Sequence, residues 1–336
     1  MGNMSRPNIA VVGAAGVVGT TFRTVLEELK FPYNNAYMLE RAELAGQTLP
    51  FDGREVVMEE LTEHSFDNGR IDIALFSAGG EISEKFAPIA AANGAVVVDN
   101  SSQWRMDPLV PLVVPEVNPQ EVNNRPKGII ANPNCSTIQA MVALKPLHDK
   151  YGIKRIVFST YQAVSGSGVK GIMDLEEGLK GNDIMGCYPH PIAGNVIPQI
   201  DVFMDNGYTK EEMKMIEETK KILGDDSLMV TATTVRVPVF SSHSESINVE
   251  FETPFTDIAE VRAVLEAAPG LIVQDDPANS VYPLARTAAG TNDVYVGRIR
   301  RDFSVANGIN FWCVADNIRK GAATNSVQIA QLLLEN

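Results

Sequence analysis

Short apolar runs alternate with amphipathic stretches through the N-terminal part of the chain. Asn8-Ile9-Ala10-Val11-Val12 has the pattern of a buried strand, and residues 20–30 set Phe22, Val25, Leu26 and Leu29 on one helical face. A second strand is expected over 36–39, ending at Glu40. Further strands are expected over 71–76 and 95–99, with a helix over 83–93 between them. The apolar run 128–131 reads as one more strand, and 138–144 as the helix after it. Strand and helix in regular alternation predict a parallel, doubly wound, Rossmann-like sheet of the α/β class.

The rhythm changes after Cys135. Longer strand patterns occupy 153–162, 229–239 and 245–253, and helical patterns occupy 170–179, 210–223 and 257–267. These predict a second, α+β domain. Residues 324–334 put Val327, Ala330 and Leu334 on one helical face, so a final helix is expected to return and cover the first domain. The expected division is 1–133, completed by 316–336, and 134–315, tightly joined because no linker-like or low-complexity stretch separates them.

The chain has 336 residues and a formal net charge of −14, with a pI of about 4.8. A binder of phosphate backbones would be basic, so nucleic acid is not an expected partner. An anionic ligand would have to be met by a few placed cations. No apolar run is long enough to cross a bilayer. Met1-Gly2-Asn3-Met4-Ser5-Arg6 lacks the apolar core of a signal peptide and misses the acylation pattern by one position, so a cytoplasmic location is expected. Three cysteines, Cys135, Cys187 and Cys313, are too few for a disulfide framework and suit a reducing compartment. Cys313 sits in an apolar strand-like run and is expected in the core. Cys187 lies in a loop rich in Gly and Pro. No second Cys or His stands at metal-ligand spacing, so no metal is expected.

Two stretches carry candidate chemistry. Gly13-Ala14-Ala15-Gly16-Val17-Val18-Gly19 joins the first strand to the first helix, the setting in which backbone N–H groups take a dinucleotide pyrophosphate. Its G-x-x-G-x-x-G spacing also occurs for turn geometry alone. Glu40 lies about twenty residues past the last glycine, where an acid meets the ribose 2′-hydroxyl of NAD. The second stretch is Asn132-Pro133-Asn134-Cys135-Ser136-Thr137, between an apolar strand and a helix. A cysteine at a helix N-terminus is held toward the thiolate by the macrodipole, and the same backbone N–H groups suit a developing oxyanion. A small buried hydrophobe is the ordinary alternative for a cysteine. Among four histidines, His64 is in a charged loop, His148 on a polar turn and His190 between prolines. His243, between two strand patterns, is the best candidate partner for Cys135, although spacing alone does not bring them together.

These motifs, with Thr160-Tyr161-Gln162-Ala163-Val164-Ser165-Gly166, Val235-Arg236-Val237-Pro238, His243-Ser244-Glu245-Ser246 and Asp316-Asn317-Ile318-Arg319-Lys320-Gly321-Ala322-Ala323, run in order along the chain. So does Ser101-Ser102-Gln103-Trp104-Arg105-Met106-Asp107. Together they resemble aspartate-β-semialdehyde dehydrogenase. The resemblance implies that the second domain is catalytic and forms a homodimer. It implies Cys135 as the nucleophile that forms an acyl-thioester, His243 as general acid/base, and Gln162 as the residue orienting the substrate. Arg236 would pair with the substrate α-carboxylate and Glu211 with its α-ammonium. Arg105 and Lys214 would hold phosphate, and Asn134 belongs to the substrate side. Gly13, Ala15, Gly16, Val17, Val18, Gly19, Glu40 and Arg41 would bind the cofactor, with Ser165, Gly166 and Asn317 on its nicotinamide side.

The implied reaction is reductive dephosphorylation of L-aspartyl-4-phosphate to L-aspartate 4-semialdehyde, within synthesis of lysine, threonine, methionine and isoleucine. The substrates are then small molecules: aspartyl phosphate, aspartate semialdehyde and phosphate. NADP is the cofactor expected from the resemblance. NAD is an alternative, because Glu43 and Leu44 stand where members of this family that use NADP carry a small hydroxyl residue and an arginine, and Glu40 suits a free ribose. A related acyl-phosphate reductase such as N-acetyl-γ-glutamyl-phosphate reductase is the nearest rival, with a catalytically silent nucleotide-binding paralogue behind it. Retention of Cys135 and His243 argues against the silent paralogue.

Overall fold

A computed structural model describes residues 6–335. Met1-Gly2-Asn3-Met4-Ser5, the start read above for its localisation and acylation pattern, lies outside the described residues. The chain divides into two compact units. One holds the described residues up to Asn134 together with those from Ala322 onward, and the other is Cys135–Gly321.

In the first unit the elements follow in order: β1 (Ile9–Val12), α1 (Val17–Glu28), β2 (Ala36–Glu40), β3 (Thr48–Phe51), β4 (Arg54–Glu60), β5 (Ile73–Phe76), α2 (Gly80–Ala92), β6 (Val96–Asp99) and β7 (Ile129–Ala131). Seven strands form one sheet in the order β3-β4-β2-β1-β5-β6-β7. All neighbours are parallel except β3 and β4. The strand order turns at β1, which pairs with β2 on one side and β5 on the other, so the C-terminal end of β1 opens a crevice of the doubly wound kind. The β3–β4 hairpin was absent from the sequence reading. Its turn, Asp52-Gly53, has positive φ at both residues, as a tight hairpin turn requires. On β4 only Met58 is fully buried, so its apolar signal was weak.

Helix α1 begins at Val17, three residues before the expected start, because the glycine turn itself supplies the N-cap at Gly16. Its face of Phe22, Val25 and Leu26 is buried against the sheet in one core cluster, worth roughly 2 kcal/mol per large side chain.

In the second unit follow α3 (Cys135–Tyr151), β8 (Ile153–Gln162), α4 (Gly168–Leu179), α5 (Lys210–Leu223), β9 (Met229–Arg236), β10 (His243–Phe251), α6 (Ile258–Glu266), β11 (Leu271–Val273), α7 (Ala285–Ala288), β12 (Val294–Asp302) and β13 (Gly308–Ala315). The six strands are ordered β11-β12-β13-β10-β8-β9. The sheet is mixed: β8 and β9 are parallel, while β10 runs antiparallel to both β8 and β13. Helices α3, α5 and α6 pack on its strands. His243 is the first residue of β10 rather than part of a turn, because pairing with Ala315 extends the ladder to it. The C-terminal ends of β8 and β9 and the start of β10 therefore lie on one edge, and that edge carries the chemistry.

The chain then returns to the first unit in α8 (Thr324–Glu335). Val327, Ala330 and Leu333 join the core of the first sheet, while Leu334, expected to be buried, is only half-buried against it.

Candidate active site

In the second unit, Cys135 opens α3 and is half-buried. Its Sγ lies 3.2 Å from Nε2 of His243. His243 is fully buried, and its Nδ1 accepts the backbone N–H of Ala163 at 3.0 Å. With Nδ1 so engaged, the neutral imidazole carries its proton on Nε2, facing the sulfur. Burial, and then the positive charge of Arg236, depress the pKa of His243 to about 3, against a smaller opposing effect of Glu211. The ring is neutral at ordinary pH.

Two rows of side chains cross the same face of the sheet, since alternate strand residues share a face. In the outer row Arg236 pairs with Gln162, and His243 stands on the next strand. One step inward Thr234 pairs with Thr160, Thr160 with Glu245, and Glu245 with Cys313. Gln162 accepts from Thr160 Oγ1 and donates to Glu211 Oε1, each at 3.0 Å. Glu211 reaches this row because α5 starts with a capping box, in which Thr209 and Glu212 each accept the other's backbone N–H. Lys214, one turn on, donates to Glu211 and to Asp201, both at 3.0 Å. Burial pulls the Lys214 ammonium down, but Glu211 and Asp201 outweigh it and its pKa is raised.

Arg236 is buried and donates from Nη1 to Ala163 O at 2.6 Å, while its Nε has no hydrogen-bond partner. Gly166 lies against both groups. A Cβ there would stand 2.9 Å from Arg236 Nη1 and 3.4 Å from His243 Nε2, so only glycine leaves the space open. Asn317 and Ser165 hold each other at 3.0 Å, and Asn317 also accepts the Ser242 N–H at 2.9 Å, bracing the residue before His243. Cys187 is exposed and Cys313 is buried, as expected from their segments.

In the first unit, Gly13, Ala15, Gly16, Leu39, Glu40, Arg41, Leu44, Leu61, Ser77, Ala78, Ile82 and Phe86 line a cleft of about 570 Å³. Val17, Val18 and Gly19 form the first turn of α1, whose N–H groups have no acceptor within the helix. Glu40 Oε1 accepts the Ala15 N–H at 2.9 Å and Oε2 the Arg41 N–H at 3.1 Å. The Arg41 side chain is exposed, 3.9 Å from the Glu43 carboxylate. Crevice position, glycine loop, helix N-terminus and acid together fit a dinucleotide. Arg105, also in this unit, donates to the carbonyls of Asn132 and Asn100. Asn134, the last residue of the unit before Cys135, is buried.

Two family models match the chain: the semialdehyde dehydrogenase NAD binding domain over residues 8–125 and the semialdehyde dehydrogenase dimerisation domain over residues 144–320. The chain is 55% identical to an aspartate-semialdehyde dehydrogenase of Aquifex aeolicus, over 97% of this chain and 98% of that one. The chain belongs to the aspartate-semialdehyde dehydrogenase family. A relative from Shewanella violacea is 52% identical over 98% of each chain. The crystal structure of aspartate semialdehyde dehydrogenase II from Vibrio cholerae superposes with a TM-score of 0.94 at 49% identity, covering 98% of this chain and 99% of that one. A second structure of that enzyme is described as complexed with ASA. An aspartate semialdehyde dehydrogenase from Candida albicans, solved with NADP, superposes with a TM-score of 0.76 at 26% identity over 98% of each chain.

Ser242, the residue before His243, has a φ of +73°, a conformation that glycine adopts most readily. Sequence reasoning passed over Gln139, whose Nε2 donates to the His243 carbonyl at 3.3 Å, and Gly321, where a Cβ would meet the Cys135 Cβ at 2.8 Å. Gly321 was quoted within a motif and given no role, and Gln139 had no signal along the chain. Glu245 was quoted within a motif and given no role, although its two-residue offset from His243 places it on the same strand face.

Proposed function

We propose that this chain interconverts L-aspartyl-4-phosphate and L-aspartate 4-semialdehyde through an acyl-thioester on Cys135, in biosynthesis of lysine, threonine, methionine and isoleucine. The observation that carries the reading is the 3.2 Å approach of Cys135 Sγ to His243 Nε2 beside Gln162, Glu211 and Arg236. Cys135 attacks the acyl carbon, phosphate leaves, and the thioester forms, dividing one hard reduction into two steps. The position of Cys135 at the positive end of α3 favours the attacking thiolate.

His243 acts here as a neutral hydrogen-bond donor to Cys135, and the thiol proton passes to solvent as the thiolate forms. Its Nε2–H stabilises the thiolate before attack and again on release. Taking the thiol proton at Nε2 would drive the ring proton onto Nδ1, against the Ala163 N–H. Arg236 offers its remaining donors to the α-carboxylate, a fork that lysine lacks. Glu211, aligned by Gln162, takes the α-ammonium. Lys214 and Arg105 supply cations for phosphate, and Asn134 the substrate side of the turn before Cys135.

The nicotinamide, when bound, supplies or takes up the hydride at the substrate carbonyl carbon. The pyrophosphate would meet the N–H groups of Val17, Val18 and Gly19, with Gly13, Ala15 and Gly16 shaping the loop. Ser165, Gly166 and Asn317 are assigned to the nicotinamide side. Glu40 and Glu43 face a 2′-phosphate with like charge and Arg41 with opposite charge. We therefore assign use of both NADP and NAD, with NADP favoured less than is usual in the family. A homodimer is supported by the second sheet, where Tyr161 packs against Trp312 with ring centroids 5.5 Å apart and remains 40% exposed.

The test is nicotinamide absorbance with aspartate semialdehyde, with and without phosphate, run separately with NADP and NAD. Phosphate-dependent reduction of both cofactors is expected. Turnover indifferent to phosphate would overturn the acyl-phosphate reading, and equilibrium sedimentation showing only monomer at micromolar concentration would overturn the dimer.

A further inference from the structure

Behind the reactive row lies an acid with no evident role. Glu245 is completely buried on β10, two residues past His243 and on the same face. Neither of its carboxyl oxygens has a hydrogen-bond partner, and the side-chain oxygen of Gln139 is likewise buried without one. Gln139 lies over this part of the sheet. Its Nε2 donates to the carbonyl of His243, and its backbone carbonyl accepts at 3.7 Å from Sγ of Cys313, the residue paired with Glu245 across the ladder. The neighbourhood thus holds three acceptor oxygens without a donor. A bare carboxylate there would be a buried charge without hydrogen bonds, which proteins avoid by taking up a proton.

We propose that Glu245 is a positioning residue of the reactive row, carried as the neutral acid and donating its O–H to the side-chain oxygen of Gln139. Gln139 in turn donates to the His243 carbonyl, so the acid, the amide and the start of β10 form one directed chain of donors. The assignment also separates two carboxyls. Glu211 accepts from Gln162 and Lys214 and keeps its negative charge, while Glu245 has no such partners and keeps its proton. Burial, and then the charge of Glu211, raise the pKa of Glu245 well above the carboxylate range.

The groups facing Glu245 are few. His243 shares its strand, Cys313 stands on β13, Glu211 and its partner Lys214 come from α5, and Arg236 from β9. From β8 comes uncharged Thr160, and from α3 come Gln139 and, at its first residue, Cys135. All of these are common to wild type and to a Glu245 variant, so their titration cancels in a ratio.

The experiment uses the full chain, with Glu245→Gln and Glu245→Leu. Glutamine keeps a donor for Gln139 and cannot ionise, while leucine removes the donor. In urea unfolding at pH 5, 6, 7 and 8, the folding equilibrium constant of Glu245→Gln relative to wild type should rise by up to about tenfold per pH unit, because wild type must hold a proton that its unfolded chain releases. A ratio that stays flat across this range would overturn the proposal. In the semialdehyde assay, Glu245→Leu should lose about tenfold or more in kcat with little change in KM, and Glu245→Gln should recover most of it. A glutamine variant as slow as the leucine variant would also overturn it. The kinetic measurement rests on the function proposed above, whereas the unfolding measurement does not. If Glu245→Leu fails to fold, the unfolding ratio of Glu245→Gln still decides.

Discussion

The cleft of the first unit and the reactive row of the second are built from opposite materials. Within its apolar walls the polar groups of the cleft are largely main chain: a glycine turn, the open N-terminus of α1, and Glu40 satisfied by two backbone N–H groups. The row is made of side chains. Cys135, His243, Gln162, Arg236 and Glu211 come from five different elements and are mostly buried, each held by its neighbours. A main-chain site tolerates exchange of most side chains and is tuned by the few charges at its rim. A site of buried side chains fails when any one is changed, because the partner left behind is a desolvated polar group.

The largest contrast is expected from Cys135→Ala. Phosphate-dependent turnover should fall by roughly a thousandfold or more, while cofactor binding, followed by fluorescence titration, stays within about twofold. Substantial turnover in this variant would break the covalent mechanism and with it the division between the two regions.

Arg236→Lys keeps the charge but loses the planar fork and the Nη1 bond to Ala163 O. A fall of about 10- to 100-fold in kcat/KM for the semialdehyde is expected, with the cofactor KM nearly unchanged. Steady-state titration of each ligand separately checks this.

His243 sharpens the comparison through pH. Its folded pKa of about 3 lies below the unfolded value of about 6.5, so the unfolded chain takes up the proton first as pH falls. The contribution of the neutral ring is present above pH 6.5 and declines between 6.5 and 3, by up to about 1.4 kcal/mol per pH unit. Urea unfolding at pH 7 and pH 5 should show wild type losing more stability than His243→Gln. Equal losses would mean that the ring takes up a proton in the folded state as readily as in the unfolded chain.

At the cleft, Glu43→Arg combined with Leu44→Ser should move the kcat/KM ratio of NADP to NAD toward NADP by about tenfold. A wild-type enzyme already strongly selective for NADP, and unmoved by the change, would place the 2′-phosphate away from this rim.

The smallest effect is at Ser242. Its φ of +73° is strained for serine, so Ser242→Gly should gain about 0.5–1 kcal/mol of stability in urea unfolding with kcat unchanged within about twofold. A loss of stability would show that the serine side chain contributes more than the backbone strain removes.

Local pattern determined much of this protein. The helical face of Phe22, Val25 and Leu26, the strand that ends at Glu40 and the turn that starts α3 at Cys135 are each set by residues near in sequence, through periodicity and backbone preference. The motif order carried the family as well, because it joined stretches whose spacing alone says nothing. Strand β4 of the β3–β4 hairpin escaped the pattern because its exposed positions are mostly charged, and β12 because a register shift between Gly297 and Arg300, with Arg298 at positive φ, breaks its alternation. Only the tertiary structure brings His243 to Cys135, 108 positions apart in sequence, since the antiparallel ladder of β10 with β8 and β13 sets the register. The charge states also belong to that level. His243 is neutral because of what surrounds it, and the proton assigned to Glu245 rests on three oxygens, two of Glu245 and one of Gln139, that are buried without a donor. Burial and partner geometry are properties of the packed sheet, and no stretch of the chain holds them by itself.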